Sequence, residues 1–387
     1  MNIGIIGKGK MGRSIFDYLL QFDHQLVLVC HKKEDVIPVA ASIEKQIQKR
    51  WKRGFLTDEE YERKIRSYKV ADCLAAVKKC SLVIESVSEE PSLKQNIFQG
   101  LEGIVAEDCI LATNTSSIPL QMVFAKCLNK ERCLGMHFFF PIQVMRTVEI
   151  NTTLATAPQY IKIVHKLLEQ GDKTPLLLED KANMMLTKLF TILITKIYNI
   201  YEERVLPIDE IDAVLKANLF TFGLFEIIDS TGIPIILTCI DNFVDERYQE
   251  LYTPFYNKGV KLLQAGYPGG IGHEGIASYE REHPEPFQEL SAEKRLDYQE
   301  NMVLRLQGMI TNELAFLLSQ QDVGKDSLLT AVQEVLGLGE DPRHILETLG
   351  VEPIENCLWN EYALTRDPIY LPLDFSFLRK IPMETIA

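Results

Sequence analysis

No run of apolar residues in this 387-residue chain approaches the ~20 needed to cross a bilayer. The best candidate, Met184 to Tyr201, is interrupted by Lys188 and Lys196 and reads as a buried helix. The eight cysteines (Cys30, Cys73, Cys80, Cys109, Cys127, Cys133, Cys239 and Cys357) include no CxxC pair and no metal-ligand spacing with histidine. That excludes a zinc site and a disulfide scaffold, and leaves small, reduced residues. Basic charge is also short. There are 41 Lys+Arg against 54 Asp+Glu, a net charge of −13 that repels nucleic acid and anionic membranes. Met1 is followed at once by Asn-Ile-Gly-Ile-Ile-Gly, without a basic n-region or room for a signal peptide, so the expected compartment is the cytoplasm. What remains is ordinary for folded protein: 46% apolar and 25% charged residues, in a length that suits two or three domains.

The N-terminal half alternates short apolar runs with longer amphipathic ones. Ile3–Ile6, Leu26–Val29, Leu82–Ile84 and Ile110–Ala112 are too short for helices and too uniformly apolar for half-exposed strands. They read as buried strands of a parallel sheet, with helices at Met11–Leu20 and through the charged segment Ser42–Ser67. This βαβ order predicts a doubly wound α/β domain. Beyond about Asp180 the pattern turns helical, with Leu186, Leu189, Phe190, Leu193, Ile194 and Ile197 on one face. A polar, proline-bearing stretch at Arg281–Lys294 marks a second boundary.

An internal repeat accompanies that boundary. A shift of 118 positions, without a gap, places Met184 on Met302, Leu186 on Leu304, Ala213-Val214 on Ala331-Val332 and Gly232 on Gly350. Two helical regions are expected to share one ancestry and one fold.

Gly7-Lys8-Gly9-Lys10-Met11-Gly12 is a GxGxxG between a predicted strand and an amphipathic helix, the context a dinucleotide site requires. Gly7 permits the tight turn, Gly9 admits a pyrophosphate to the backbone and Gly12 lets helix and strand pack closely. Lys10 and Met11 open the helix whose N-terminus faces the phosphate charge. At the end of the second strand, where an acid ordinarily holds the adenosine ribose, stands Cys30, followed by His31, Lys32 and Lys33. A thiol cannot accept the paired hydroxyl bonds. The cationic side chains point to a 2′-phosphate and hence NADP, to weakened NAD binding, or only to an exposed basic turn.

Several further phrases, taken in order, resemble the 3-hydroxyacyl-CoA dehydrogenase family. They are LVIESVSEE (Leu82–Glu90), Leu93-Lys94, NTSS (Asn114–Ser117), GMHFFFP (Gly135–Pro141), MRTVE (Met145–Glu149), GDKTP (Gly171–Pro175) and GLFEIIDSTG (Gly223–Gly232). The resemblance covers residues 1 to about 280, and the last hundred residues look like the degenerate second C-terminal domain of longer members. It implies a Rossmann-type NAD(P)-binding domain at 1–180, an all-helical domain at 181–285 and a second, degenerate helical domain at 295–387. It further implies a hydride transfer between C3 of a 3-hydroxyacyl-CoA and NAD, with NADP as the alternative, in metabolism of the fatty-acid type. The helical duplication implies a monomer, or pseudo-dimer, with no nucleic-acid or membrane partner.

Oxidising a secondary alcohol needs a base for the hydroxyl proton. His137 and Glu149, in successive predicted strands, can meet across a strand–turn–strand. A carboxylate on one imidazole nitrogen fixes the tautomer and stabilises the imidazolium that forms. The pair matches the family's catalytic dyad. By the same resemblance Ser116 bonds the substrate's reacting oxygen, Asn114 and Glu89 lie near the nicotinamide, and Lys94 links cofactor and substrate. The basic segment matches a helical hairpin that contacts coenzyme A, which assigns Arg50, Lys52 and Arg53 to its phosphates. Two positions depart from the family. Phe140 stands for an Asn after the HFF phrase, and Thr187 stands for the active-site Asn that follows Ala182-Asn183-Met184. Losing one polarising donor costs roughly 10²–10³ in rate where it supports an oxyanion. These departures keep two rivals open: an impaired nucleotide- or acyl-CoA-binding protein, and a dehydrogenase of another small 3-hydroxy compound.

Overall fold

A computed structural model describes residues 1–179, 183–243, 249–270, 272–320 and 324–375. The chain divides into two compact units, 1–184 and 185–387. Asp180, where the sequence pattern changes, lies outside the described residues.

Among the described residues of the first unit, eight strands make one sheet. In chain order they are β1 (Asn2–Ile6), β2 (Gln25–Val29), β3 (Tyr68–Ala71), β4 (Leu82–Glu85), β5 (Ile110–Thr113), β6 (Cys133–Phe138), β7 (Thr147–Thr152) and β8 (Thr174–Glu179). Their spatial order is β3-β2-β1-β4-β5-β6-β7-β8. The direction of winding reverses between β1 and β4, so the loops leaving their carboxyl ends open at the crevice where such sheets bind ligands. Ile3, Ile5, Leu28, Ile84 and Ala112 are fully buried, as strands covered on both faces require.

The sheet is not wholly parallel: β7 runs antiparallel to β6, and β8 parallel to β7. Helices α1 (Lys10–Leu19), α2 (Val36–Lys52), α3 (Asp58–Arg66), α4 (Pro91–Glu102), α5 (Leu120–Val123) and α6 (Pro158–Gln170) complete this unit. The charged segment forms the pair α2 and α3. Thr57 and Glu60 cap α3 reciprocally, and Trp51 stacks on Tyr61 with ring centroids 4.8 Å apart.

The described residues of the second unit form helices joined by loops, with an isolated β-bridge between Phe220 and Leu338. The unit contains α7 (Met185–Glu202), α8 (Ile208–Asn218), α9 (Leu224–Thr231), α10 (Ile233–Phe243), α11 (Gln249–Ala265), α12 (Ile276–Glu282), α13 (Ala292–Gln320), α14 (Lys325–Leu336), α15 (Arg343–Leu349) and α16 (Val351–Thr365). The stretch between α12 and α13 lies inside this unit. The 118-residue shift carries α8, α9 and α10 onto α14, α15 and α16 within one residue at each start. Gly232 and Gly350, which the shift equates, both hold left-handed backbone, with φ of 91° and 77°.

The two copies also meet each other symmetrically. Thr221 donates its N–H to the Gly337 carbonyl at 2.7 Å, and Gly339 donates to Leu219 at 2.9 Å. These are one bond and its repeat-related image. Helix α8 packs on α13, and α14 on α7. A surface that pairs with its own copy in this reciprocal way is isologous, here within one chain.

Candidate active site

The ends of β1, β2, β4, β5 and β6 in the first unit supply the site, with Glu149 of β7 opposite His137. After β1, Gly7 has a φ of 118°, and a Cβ there would strike the carbonyl of Ser86. At Gly12 a Cβ would strike the Gly7 carbonyl, whereas at Gly9 it would meet nothing within 4 Å. The backbone is thus closed on the protein side and open on the ligand side. Gly9 caps α1 without a side-chain bond, and the first turn holds no acidic residue. An anion such as a pyrophosphate fits this terminus. Met11 packs on the core, and Lys10 places its ammonium 3.6 Å from the ring centroid of Phe140.

At the tip of β2, Cys30 is 1% exposed, and burial, then the charge of Asp35, push its thiol pKa up. It therefore presents neither an anion nor an open acceptor. His31, Lys32 and Lys33 are exposed. Sequence reasoning missed the contact that crosses this tip: Lys8 of the glycine loop lies 3.1 Å from Asp35.

Beyond β4 the charges are buried. Glu85 is fully buried and accepts from Lys94 Nζ, Thr113 Oγ1 and the Val87 N–H, each at 2.7 Å. Lys94, 1% exposed, also reaches Glu89 at 3.5 Å. Glu89 in turn accepts from Thr115 Oγ1 at 2.7 Å and the Ser116 N–H at 3.1 Å. Lys94 thus organises the loop after β5 instead of offering a free cation. Ser116 is half-buried in that loop, and its hydroxyl makes no bond among the described residues. Asn114 Oδ1 accepts the Phe138 N–H at 3.0 Å, tying this loop to β6.

The β6–β7 pairing sets His137 directly opposite Glu149. Nδ1 of the imidazole lies 2.8 Å from Glu149 Oε2, with the carboxylate fully buried. A carboxylate can only accept here, so Nδ1 carries the proton and Nε2 the lone pair. The ring makes no other hydrogen bond among the described residues, and Phe139 packs beside it at 4.4 Å between centroids.

Arg50, Lys52 and Arg53 are exposed where α2 ends. Thr187 belongs to the other unit, half-buried in the first turn of α7, its carbonyl accepting from Thr191 Oγ1 at 2.8 Å. An open groove of about 700 Å³ on α6 and β8, lined by Ile161, His165 and Leu177, contains none of these residues.

Residues 2–181 match the model of the 3-hydroxyacyl-CoA dehydrogenase NAD-binding domain. The first unit is thus similar to the NAD-binding domain of the 3-hydroxyacyl-CoA dehydrogenases. It is 29% identical over 240 residues to a 3-hydroxyadipyl-CoA dehydrogenase of Escherichia coli, covering 61% of this chain and 50% of that one. A probable 3-hydroxybutyryl-CoA dehydrogenase of Deinococcus radiodurans is 28% identical over 284 residues, 72% of this chain and 100% of its own. The chain spans half the E. coli relative and 34% of a glyoxysomal multifunctional protein of Cucumis sativus. Among solved structures, a 3-hydroxybutyryl-CoA dehydrogenase of E. coli shares the fold with a TM-score of 0.78 at 20% identity, covering 98% of this chain and 97% of the other.

Proposed function

We propose that the chain is an NAD-linked 3-hydroxyacyl-CoA dehydrogenase of fatty-acid-type metabolism. The observation that carries this reading is the His137–Glu149 pair, with the loop that bears Ser116 tied to β6 through Asn114. Nε2 of His137 takes the proton of the 3-hydroxyl group, while Glu149 holds the ring and stabilises the imidazolium. The nicotinamide of NAD, when bound, supplies the hydride acceptor. Ser116 donates to the reacting oxygen, and the Glu89–Lys94 network holds the Ser116 backbone in place. Gly7, Gly9, Gly12 and the start of α1 receive the pyrophosphate, with Asn114 and Glu89 toward the nicotinamide side. Arg50, Lys52 and Arg53 meet the phosphates of coenzyme A. Thr187 takes the part of the family's Asn as a weaker polarising donor.

Eight free cysteines suit a reducing compartment. No helix among the described residues is long and apolar enough to cross a membrane. We assign the protein to the cytoplasm, although the names of some relatives place them in mitochondria, glyoxysomes or peroxisomes.

The test is reduction of acetoacetyl-CoA by NADH, followed by absorbance, beside free acetoacetate. Turnover of the thioester alone supports the reading. Equal turnover of both would indicate a dehydrogenase of small 3-hydroxy compounds, and binding without turnover would indicate an impaired family member, which Phe140 and Thr187 would favour.

A further inference from the structure

The tip of β2 has lost the carboxylate that ordinarily selects NAD, and three exposed basic side chains follow it. A tip of that composition invites the extra phosphate of NADP. One feature opposes this. Asp35 ends the short helical turn Lys33–Asp35, and its Oδ1 lies 3.1 Å from Nζ of Lys8. Its Oδ2 is buried and meets no donor among the described residues. Lys8 stands between Gly7 and Gly9, and the Gly7 N–H donates to the carbonyl of Val29, the last residue of β2, at 3.0 Å. The glycine loop and the β2 tip are therefore one surface, and the Lys8–Asp35 pair lies across it.

We propose that Asp35, tethered to Lys8, sets the preference of this chain for NADH over NADPH, in place of the acid that Cys30 lacks. The inference rests on the nicotinamide-linked reading above. Two physical effects support it. A carboxylate at the β2 tip repels a 2′-phosphate by its own negative charge. The carboxylate also cancels the charge of Lys8. Without it, Lys8 would join His31, Lys32 and Lys33 as one more cation facing a 2′-phosphate. The raised Cys30 thiol agrees, since Asp35 is among the charges it feels.

Calorimetric titration of the full chain with NADH and with NADPH tests this without reference to turnover. The wild-type chain is expected to bind NADH at least about tenfold more tightly. Asp35→Asn should narrow or reverse that ratio by about tenfold or more. Asp35→Glu, which keeps the charge, should retain the preference. Adding Lys8→Met to Asp35→Asn should remove the NADPH affinity gained. If Asp35→Asn does not fold, the Lys8→Met chain decides: leaving the carboxylate unneutralised, it should bind NADPH still more weakly relative to NADH. An unchanged ratio in either variant overturns the assignment while leaving the NAD-linked reading intact. A folded wild-type chain that binds neither cofactor overturns the reading itself.

Discussion

The buried charges of the two units are arranged differently. In the first, Glu85, Lys94 and Glu149 are almost wholly excluded from solvent, yet the cluster ends in two open positions, Nε2 of His137 and the Ser116 hydroxyl. In the second, Glu361 binds both Lys196 and Arg305, and Arg305 also donates to Glu203 at 3.0 Å. Those groups lie on α7 and just past its end, on α13 and on α16, so the cluster joins the two helical copies and terminates on itself. Burial, and then the neighbouring charge of Arg305, hold Lys196 below the ordinary lysine range. Burial alone would raise Glu361, but the two cations outweigh it and draw it down. A buried charge with every partner supplied by the fold serves architecture. One that leaves a lone pair or hydroxyl unspent at a strand end is available for chemistry.

The repeat sharpens this contrast at a single pair of positions. Thr187 is half-buried on α7, and its 118-shifted counterpart Arg305 belongs to the closed network. The second copy keeps its apolar faces and its left-handed glycine while its polar position has turned to structure.

The largest expected effect strikes the open cluster. Glu149→Gln should lower turnover by about 10²–10⁴ while cofactor affinity, read by calorimetry, stays near the wild-type value. Glu361→Ala should leave Lys196 buried without its carboxylate and Arg305 with Glu203 alone. It should cost about 3–5 kcal/mol in denaturant unfolding, with chemistry in any remaining folded protein largely spared.

A smaller effect concerns Asp212, which accepts the N–H groups of Phe225 and Glu226 at the start of α9. Burial raises its pKa from 3.8 to about 6, the two N–H groups opposing only in part. The folded state therefore holds this proton more tightly than the unfolded one. The associated stability is present below about 3.8 and is lost as pH rises through about 6. Asp212→Asn should abolish a decline of about 1–3 kcal/mol across that window, measured as unfolding free energy against pH. The smallest effect is expected at Thr187: Thr187→Asn should raise turnover by up to about tenfold. A lower rate would mean that the site is built around the shorter side chain.

The open cluster was more legible in the sequence than its supports. β1, β2, β4 and β5 are apolar but for one terminal residue each (Asn2, Gln25, Glu85 and Thr113) and announce themselves, and the spacing of His137 and Glu149 suits a short antiparallel turn. Sequence phrases gave Ser116 and Lys94 but not that Lys94 would be spent on Glu85 and Glu89, because burial of a lysine depends on what surrounds it. β3 (Tyr68-Lys69-Val70-Ala71) is half-exposed at the sheet edge, and its single lysine hides the strand signal. The Lys8–Asp35 and Lys10–Phe140 contacts join distant loops, so no local pattern carries them. In the second unit the repeat was readable from apolar positions and Gly232/Gly350, whereas the reciprocal bonds at Thr221 and Gly339 required the fold.

The same repeat leads to a prediction about assembly. With α8 on α13 and α14 on α7, the isologous face is satisfied within one chain. Light scattering should report about one chain's mass, and a chain ending near Lys294 should dimerise or aggregate. A monodisperse monomer from the shortened chain would contradict this.

The central claim is that His137 is the base. His137→Gln keeps a polar side chain of similar reach but cannot take the proton. Steady-state turnover of acetoacetyl-CoA by this variant, with NADH affinity measured in parallel by calorimetry, isolates that step. The account predicts a loss of at least about 10²-fold in kcat with cofactor affinity nearly unchanged. Turnover within a few-fold of the wild-type chain would contradict it.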